Sequence, residues 1–433
     1  MSVRIAFRTT GCRVNQADTE RVRAALSGLP VVFVPPGRAA DVVVVNACTV
    51  TAPAERDGRQ AVRQAVRTGA PVVVLAGCMA TRLARDGAVA SVPEGVRVVA
   101  GTFDRTALVE LLSTEVVRLD AAGAGVANPG PAEGPAFVHR GRARPLVKVQ
   151  DGCDCRCSYC IVPHVRGASR SEPLDRVRET IAAVAAGGAA EAVHAGVDLA
   201  SWGRDLPGAP CLADLLGAVT GLGTGLRFRL SSVEPHGLDA RLVDAIASNP
   251  DVCPYFHVPA QSGSDRVLSA MGRPYGASAL AKTLGYAVDR IPDAGLGLDL
   301  IVGFPGETAD DFEATRALVA SLPVVRLHVF PFSPRPGTAA AGLPDDVPLA
   351  VKEARAATLR AIAEAGRSAR LDALAGREIE VVDVRTRAGG QIESVAADGT
   401  RVVRTDSSGP RSGRFRVRVT GREDALFVTA VLS

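Results

Sequence analysis

Short, nearly uninterrupted Val/Ile runs recur down the first quarter of the chain: Val3 to Arg8, Val31 to Val34, Val42 to Val45, Val72 to Leu75 and Val96 to Val99. A strand with no apolar/polar alternation must be covered on both faces, which a parallel sheet with helices on either side provides. Asp18 to Leu26, Ala54 to Arg67 and Asp104 to Leu112 carry helical spacing and supply that cover. Three of the runs end in cysteine, as AFRTTGC, VVVVNAC and VVVLAGC. In an open α/β sheet the carboxyl ends of the strands share one edge, where ligands bind. Cys12, Cys48 and Cys78, spaced by 36 and 30 residues, are therefore expected to converge there. Any one of them would pass for an ordinary buried cysteine, but their common placement favours a ligand set.

After AAGAGVANPGPAEG (Ala121 to Gly134), a linker by composition, the strand-helix rhythm resumes. Strands are expected at Leu146 to Val149, Ala192 to Ala195, Arg227 to Ser231, Tyr255 to Val258, Leu298 to Val302 and Arg326 to Phe330. Six such units suit an open, partial barrel rather than a closed eight-stranded one. A long Ala/Arg/Glu helix, Leu349 to Leu374, follows. Beyond Gly376 the segments EIEVVDVRT, TRVVRTD, RFRVRVTG and LFVTAVL read as a small β-barrel. The fold class is thus α/β: a parallel α/β domain over 1–118, a linker over 119–138, a partial (β/α)6 barrel over 139–375 and a β-barrel over 376–433. Three domains match 433 residues at about 150 residues each. No apolar run approaches the roughly 20 residues of a membrane span, and the N-terminus reads as a strand rather than a signal peptide, so a cytoplasmic protein is expected.

Cysteine chemistry centres on the loop after the first barrel strand, where Cys153, Cys157 and Cys160 stand as C-x3-C-x2-C. Three thiolates in one loop can hold three irons of a [4Fe–4S] cluster and leave the fourth open. Zinc would need a second cysteine or histidine pair. Cys155 offers an alternative ligand at this spacing. Cys211 and Cys253 lack such placement and are expected to be structural, and His257 and His328, inside apolar strands, to be core residues.

The stretch GCDCRCSYCIVPHVRGASRS resembles the signature of the methylthiotransferases among radical S-adenosylmethionine (SAM) enzymes, matching at Cys153, Cys157, Tyr159, Cys160, Pro163, Arg166, Gly167, Ser169 and Arg170. Cys155 falls where that family has a polar residue. TTGCRVNQADTE, NACTVTAPAERDGRQAVR and AGCMATR resemble the family's N-terminal cysteine segments, and HVPAQSGSDRVL, LIVGFPGETADDF and FPFSPRPGTAAA its radical domain. The resemblance implies two [4Fe–4S] clusters, one on Cys12, Cys48 and Cys78 and one on Cys153, Cys157 and Cys160, with SAM bound at the second. SAM cleavage there would yield a radical that removes hydrogen from an unreactive C–H bond, the first cluster would donate sulfur, and a second SAM the methyl group. SAM contacts are expected from Tyr159, Glu234, Gln261 and Asp299, near strand ends in the motifs SSVEP, QSGSD and GLDLIVGFPGE.

GCRVN, NACTVT and SPRPGT look most like the branch acting on N6-threonylcarbamoyladenosine beside the tRNA anticodon. The alternatives are isopentenyladenosine in tRNA, a ribosomal-protein aspartate or, outside enzymes, a zinc-stabilised RNA-binding protein. The C-terminal barrel would be the family's RNA-binding TRAM domain. Arg401, Arg404, Arg411, Arg414, Arg416, Arg418 and Arg422 meet only Asp406 across their stretch, so Arg411, Arg414, Arg416 and Arg418 are expected on phosphates of the anticodon stem-loop. Only three basic residues are lysine (148, 282 and 352), so arginine richness is a property of the whole chain and identifies no partner by itself. The expected assembly is a monomer served by a separate electron donor and sulfur source.

Overall fold

The computed structural model describes residues 2–101, 106–122, 144–387, 389–404, 409–423 and 426–431; most of the linker lies outside them. The N-terminal domain runs β1 (Val3–Thr9), α1 (Arg13–Ala25), β2 (Val31–Val34), β3 (Val42–Asn46), α2 (Ala52–Arg67), β4 (Val72–Ala76), α3 (Cys78–Arg85), β5 (Val96–Val98) and α4 (Thr106–Ala121). Its five strands are parallel in the order β2-β1-β3-β4-β5. Both faces are buried, as the valine runs require. Val3, Ile5, Val42, Val44, Val72 and Val74 pack beneath α1 and α4, while Ala6, Val43, Val45, Val73 and Leu75 pack beneath α2 and α3. Helix α1 begins at Arg13, directly after Cys12, rather than at Asp18, and α4 runs nine residues past Leu112.

The second domain runs β6 (Leu146–Lys148), β7 (Gln150–Asp151), α5 (Val162–Arg166), β8 (Arg170–Ser171), α6 (Leu174–Ala186), β9 (Glu191–Ala195), α7 (Leu212–Thr220), β10 (Arg227–Leu230), α8 (Ala240–Ala247), β11 (Tyr255–Gln261), α9 (Asp265–Ala270), α10 (Ala277–Arg290), β12 (Gly295–Val302), α11 (Ala309–Ala320), β13 (Val324–Pro331) and α12 (Leu349–Asp372). Two parallel sheets, β10-β9-β6 and β11-β12-β13, are joined by the bridges Phe228 to Val252 and Ser232 to His257. The six main strands thus form an open barrel. Phe228, Leu230, Phe256, Val258, Leu296, Leu298 and Leu300 pack outward under the helices. The alternate residues, such as Arg229, His257 and Asp299, face inward, as the two-residue strand period requires.

The last domain comprises β14 (Glu378–Thr386), β15 (Ile392–Ala396), β16 (Arg401–Arg404), β17 (Phe415–Glu423) and β18 (Leu426–Val431), closed in the order β14-β15-β16-β18-β17. Sequence reading missed β15, whose IESVA is short and follows a Gly pair. This domain seats against the amino-terminal end of the open barrel: Arg227 and Arg229 donate to the carbonyls of Val395 and Ala396 at 3.1 and 2.9 Å. Glu191 lies between the two arginines and is held ionised by them, its pKa lowered against the cost of burial. Among the described residues no helix is long and apolar enough to cross a membrane.

Candidate functional site

Register places the first cysteine set. Thr9 pairs with Asn46, and Asn46 with Ala76, so the ends of β1, β3 and β4 are level. Cys12, Cys48 and Cys78 follow three, two and two residues later, at the point where strand order reverses between β1 and β3. This crevice is where open α/β sheets bind ligands. Gly11 lets the loops meet: its φ is +107°, and a Cβ there would overlap Cys48 Cβ and lie 3.1 Å from its Sγ. Cys12 caps α1 and Cys78 is the first residue of α3, where the helix dipole favours a thiolate. Asn15 Oδ1 lies 3.9 Å from Cys12 Sγ and 3.7 Å from Cys78 Sγ. Burial pushes the Cys48 thiol up to about 12, with the charges of Cys12 and Cys78 adding to the push. Three soft sulfurs brought to one sheet edge form a donor set that suits a metal cluster.

The second set lies on the loop between β7 and α5. Gln150 anchors it: its amide donates to the carbonyls of Asp151 and Gly152 and to Ser169 Oγ, and its carbonyl accepts from the backbone of Val197 and Asp198. Cys160 is pushed up to about 12 by burial and then by the Cys157 charge. Arg273 donates to Cys157 Sγ at 3.2 Å. Cys153 faces Cys155, and both sulfurs lie within 4.8 Å of an Asp198 oxygen. Cys155 thus stands beside Cys153 as the alternative ligand that the spacing offers. Cys153, Cys157 and Cys160 on one loop again fit an iron–sulfur cluster.

Of the residues expected near SAM, Tyr159, Glu234 and Asp299 come together. Glu234 pairs with Arg273, whose Nη1 lies 3.5 Å from Tyr159 Oη. Burial pushes Glu234 up to about 7 against the pull of Arg273, and Asp198 and Asp299 add to the push. Asp299 accepts from His257 Nε2 and His328 Nδ1, both at 2.8 Å, and stays ionised with its pKa lowered against burial. Gln261 ends β11 at φ +67°, a left-handed backbone rare outside glycine, and such strain concentrates at functional sites. Its loop is braced by Ser264, which donates to Asp311 at 2.6 Å, so the QSGSD and GETADD motifs support each other. Buried Ser231 Oγ has no hydrogen-bond partner among the described residues, and Asp198 Oδ1 and His236 Nε2, 3.7 Å apart, have none at hydrogen-bond distance. Unpaired buried polar atoms are costly, and here they fit a polar cofactor at the barrel mouth.

Several expectations change. His328 is not a core residue, since its side chain is 39% exposed, whereas His257 is buried as expected and tied to Asp299. Cys253 is buried and apart from both cysteine sets, 3.6 Å from Glu191, and Cys211 caps α7. The basic stretch is largely neutralised by acids from elsewhere in the fold. Arg404 is buried on Asp383, Arg401 pairs with Glu393 at 2.8 Å, Arg414 with Asp251 at 3.0 Å and Arg418 with Glu378 at 2.6 Å. Arg411 lies over the Phe415 ring and Arg416 is exposed. Missed in the sequence is a cleft of about 350 Å³ lined by Arg326, Arg367, Arg370 and Arg401, between β13, α12 and the last domain; Arg367, Arg370 and Arg401 pair with Glu364, Asp398 and Glu393, and Arg326 has no carboxylate partner among the described residues. Asp198, Arg273 and Arg13 were also missed; only Arg13, within GCRVN, lay in a segment already singled out.

Comparison with known proteins agrees with this geometry. Residues 147–319 match the radical SAM superfamily and residues 4–101 the uncharacterized protein family UPF0004. The tRNA-2-methylthio-N(6)-dimethylallyladenosine synthase of Chloroflexus aurantiacus is 36% identical over 86% of this chain and 80% of its own length. The threonylcarbamoyladenosine tRNA methylthiotransferase MtaB of Thermotoga maritima is 34% identical, covering 82% and 81%. The ribosomal protein uS12 methylthiotransferase RimO of a Synechococcus strain is 32% identical, covering 87% and 80%. Among solved structures, the radical SAM methyltransferase TsrM of Kitasatospora setae shares the fold at TM-score 0.55 and 17% identity, covering 79% and 77%.

Proposed function

Because this chain belongs to the methylthiotransferase family of radical SAM enzymes, and so is a transferase using SAM and [4Fe–4S] clusters, we propose that it methylthiolates N6-threonylcarbamoyladenosine beside the tRNA anticodon. Cys12, Cys48 and Cys78 would hold one cluster and Cys153, Cys157 and Cys160 the other. When bound, the clusters and SAM supply the radical, sulfur and methyl chemistry. The protein's part is to bind, orient and exclude water. Glu234, Tyr159, Gln261 and Asp299 form the polar wall for SAM, and the inward side chains of the open barrel surround the base.

The observation that carries the substrate reading is Arg13. It directly follows Cys12 at the start of α1, and among the described residues it has no carboxylate partner. The residue is solvent-accessible. Its guanidinium, near Arg326 and Tyr255, is thus open to an anionic ligand. The threonylcarbamoyl group carries a carboxylate; an isopentenyl group carries none. A ribosomal aspartate is also anionic, but the arginine-lined cleft favours a polyphosphate partner, with exposed Arg416 as an outer contact.

The test is nucleoside mass spectrometry on tRNA bearing either modification. Wild type should methylthiolate only the threonylcarbamoyl form. Arg13→Met should lose about 10- to 100-fold in kcat/KM, from the roughly 1.5–3 kcal/mol of a charge-assisted hydrogen bond. Preference of wild type for the isopentenyl form would overturn the reading.

A further inference from the structure

Helix α5 separates the two cysteine sites. Cys160 precedes its first residue by two positions, and Arg166 is its last. Ile161 and Val165 on this short helix pack against Cys78. Arg166 Nε donates to Cys78 Sγ at 3.1 Å. Its Nη1 forks onto both oxygens of Asp151 at 2.8 and 2.9 Å, and Nη2 reaches Asp18 at 3.0 Å and Asn15 Oδ1. Lys148 joins the same two carboxylates, lying 2.7 Å from Asp18 and 2.6 Å from Asp151. All of these side chains are buried. Asn15, Asp18 and Cys78 belong to the N-terminal domain and Lys148, Asp151 and Arg166 to the barrel, so the network crosses the domain boundary.

A domain-locking ion network would be complete without a donor to sulfur. Burying four charges costs several kcal/mol per ion before pairing, and here one guanidinium edge is committed to a thiol. Arginine suits this task because its planar fork fixes three directions at once. Hydrogen bonds to cluster sulfurs are a principal control on iron–sulfur potentials.

We propose that Arg166 is a positioning residue for the N-terminal cluster: by its N–H···S bond to Cys78, with its other edge locked on Asp151 and Asp18, it sets that cluster's reduction potential while holding it at a fixed separation from the second cluster. The inference rests on Cys12, Cys48 and Cys78 being cluster ligands. A donor and a positive charge favour the reduced, more negative cluster, so their loss lowers the potential. Arg273, which donates to Cys157, is the corresponding device on the other loop.

The test uses full-length protein with Cys153, Cys157 and Cys160 changed to Ala, so that the N-terminal cluster alone is titrated by EPR against applied potential. Absence of any cluster in this background would refute the ligand assignment itself. In the same background, Arg166→Gln and the conservative Arg166→Lys should each reduce the reduced-to-oxidised ratio at fixed potential about tenfold, which is 59 mV for a one-electron couple. Lysine keeps the charge facing Asp18 and Asp151 but cannot also span to the sulfur. A thermal melt accompanies each titration. Loss of the cluster from folded Arg166→Lys supports the proposal equally. A full cluster with an unmoved potential and EPR signal overturns it, and so does unfolding of Arg166→Lys, which would leave Arg166 a role in the domain interface only.

Discussion

Replacing Gly11 by alanine adds one methyl group to the tightest point of the N-terminal cysteine site. Two costs follow from the geometry. At φ +107° an L-residue is strained by about 1–3 kcal/mol. The new Cβ would also overlap Cys48 Cβ and sit 3.1 Å from its Sγ, and overpacking of this kind adds roughly 1–3 kcal/mol. The sum is about 2–6 kcal/mol. Gly37 separates the two costs, because its φ is +90° with nothing within 4 Å of an added Cβ. Gly37→Ala should therefore incur only the backbone strain. Thermal unfolding of the apo proteins and iron content after anaerobic reconstitution provide the assay. Gly37→Ala should melt slightly low and keep its full iron. Gly11→Ala should melt lower still and hold about half the iron, since displacing a ligand by more than about 0.5 Å defeats a preorganised site. If Gly11→Ala bound full iron and melted with Gly37→Ala, the convergence of Cys12, Cys48 and Cys78 on one cluster would be wrong.

Cys155→Ala should retain reductive SAM cleavage and Cys157→Ala should abolish it, as read by deoxyadenosine production; the opposite pair of results would put Cys155 in the ligand set. Glu234, raised to about 7 by burial, favours its proton in the folded state, so its contribution to stability is present at acid pH and lost as pH rises towards 7. Binding of cationic SAM runs the other way and should tighten from about pH 6 to about 8 as the carboxylate ionises, a rise that equilibrium dialysis should find flattened in Glu234→Gln. Changing Arg326 of the arginine-lined cleft to Gln should flatten the salt dependence of tRNA affinity by about one counterion's worth, whereas an unchanged slope would remove the cleft from the RNA path.

What the sequence determined by itself was whatever repeats locally. Valine runs without alternation demanded strands buried on both faces, and the packing of Val42 and Val44 on one side and Val43 and Val45 on the other meets that demand. A cysteine at the end of each of three such runs was enough to expect convergence, because strand ends in a parallel sheet share an edge. The Cys153 to Cys160 spacing was equally legible, since one loop carries all its ligands. Tertiary structure alone decided the contacts that no local period encodes. Arg335 of SPRPGT donates to the Thr49 carbonyl at 2.7 Å beside Cys48, and Arg166 reaches Cys78 across 88 residues. Whether an arginine is free for RNA was undecidable along the chain, because Asp251 and Glu378, which occupy Arg414 and Arg418, come from distant elements. Periodicity reports which face a residue takes; the partner on that face depends on how the sheets and domains pack, and a charge finds its counter-charge only there.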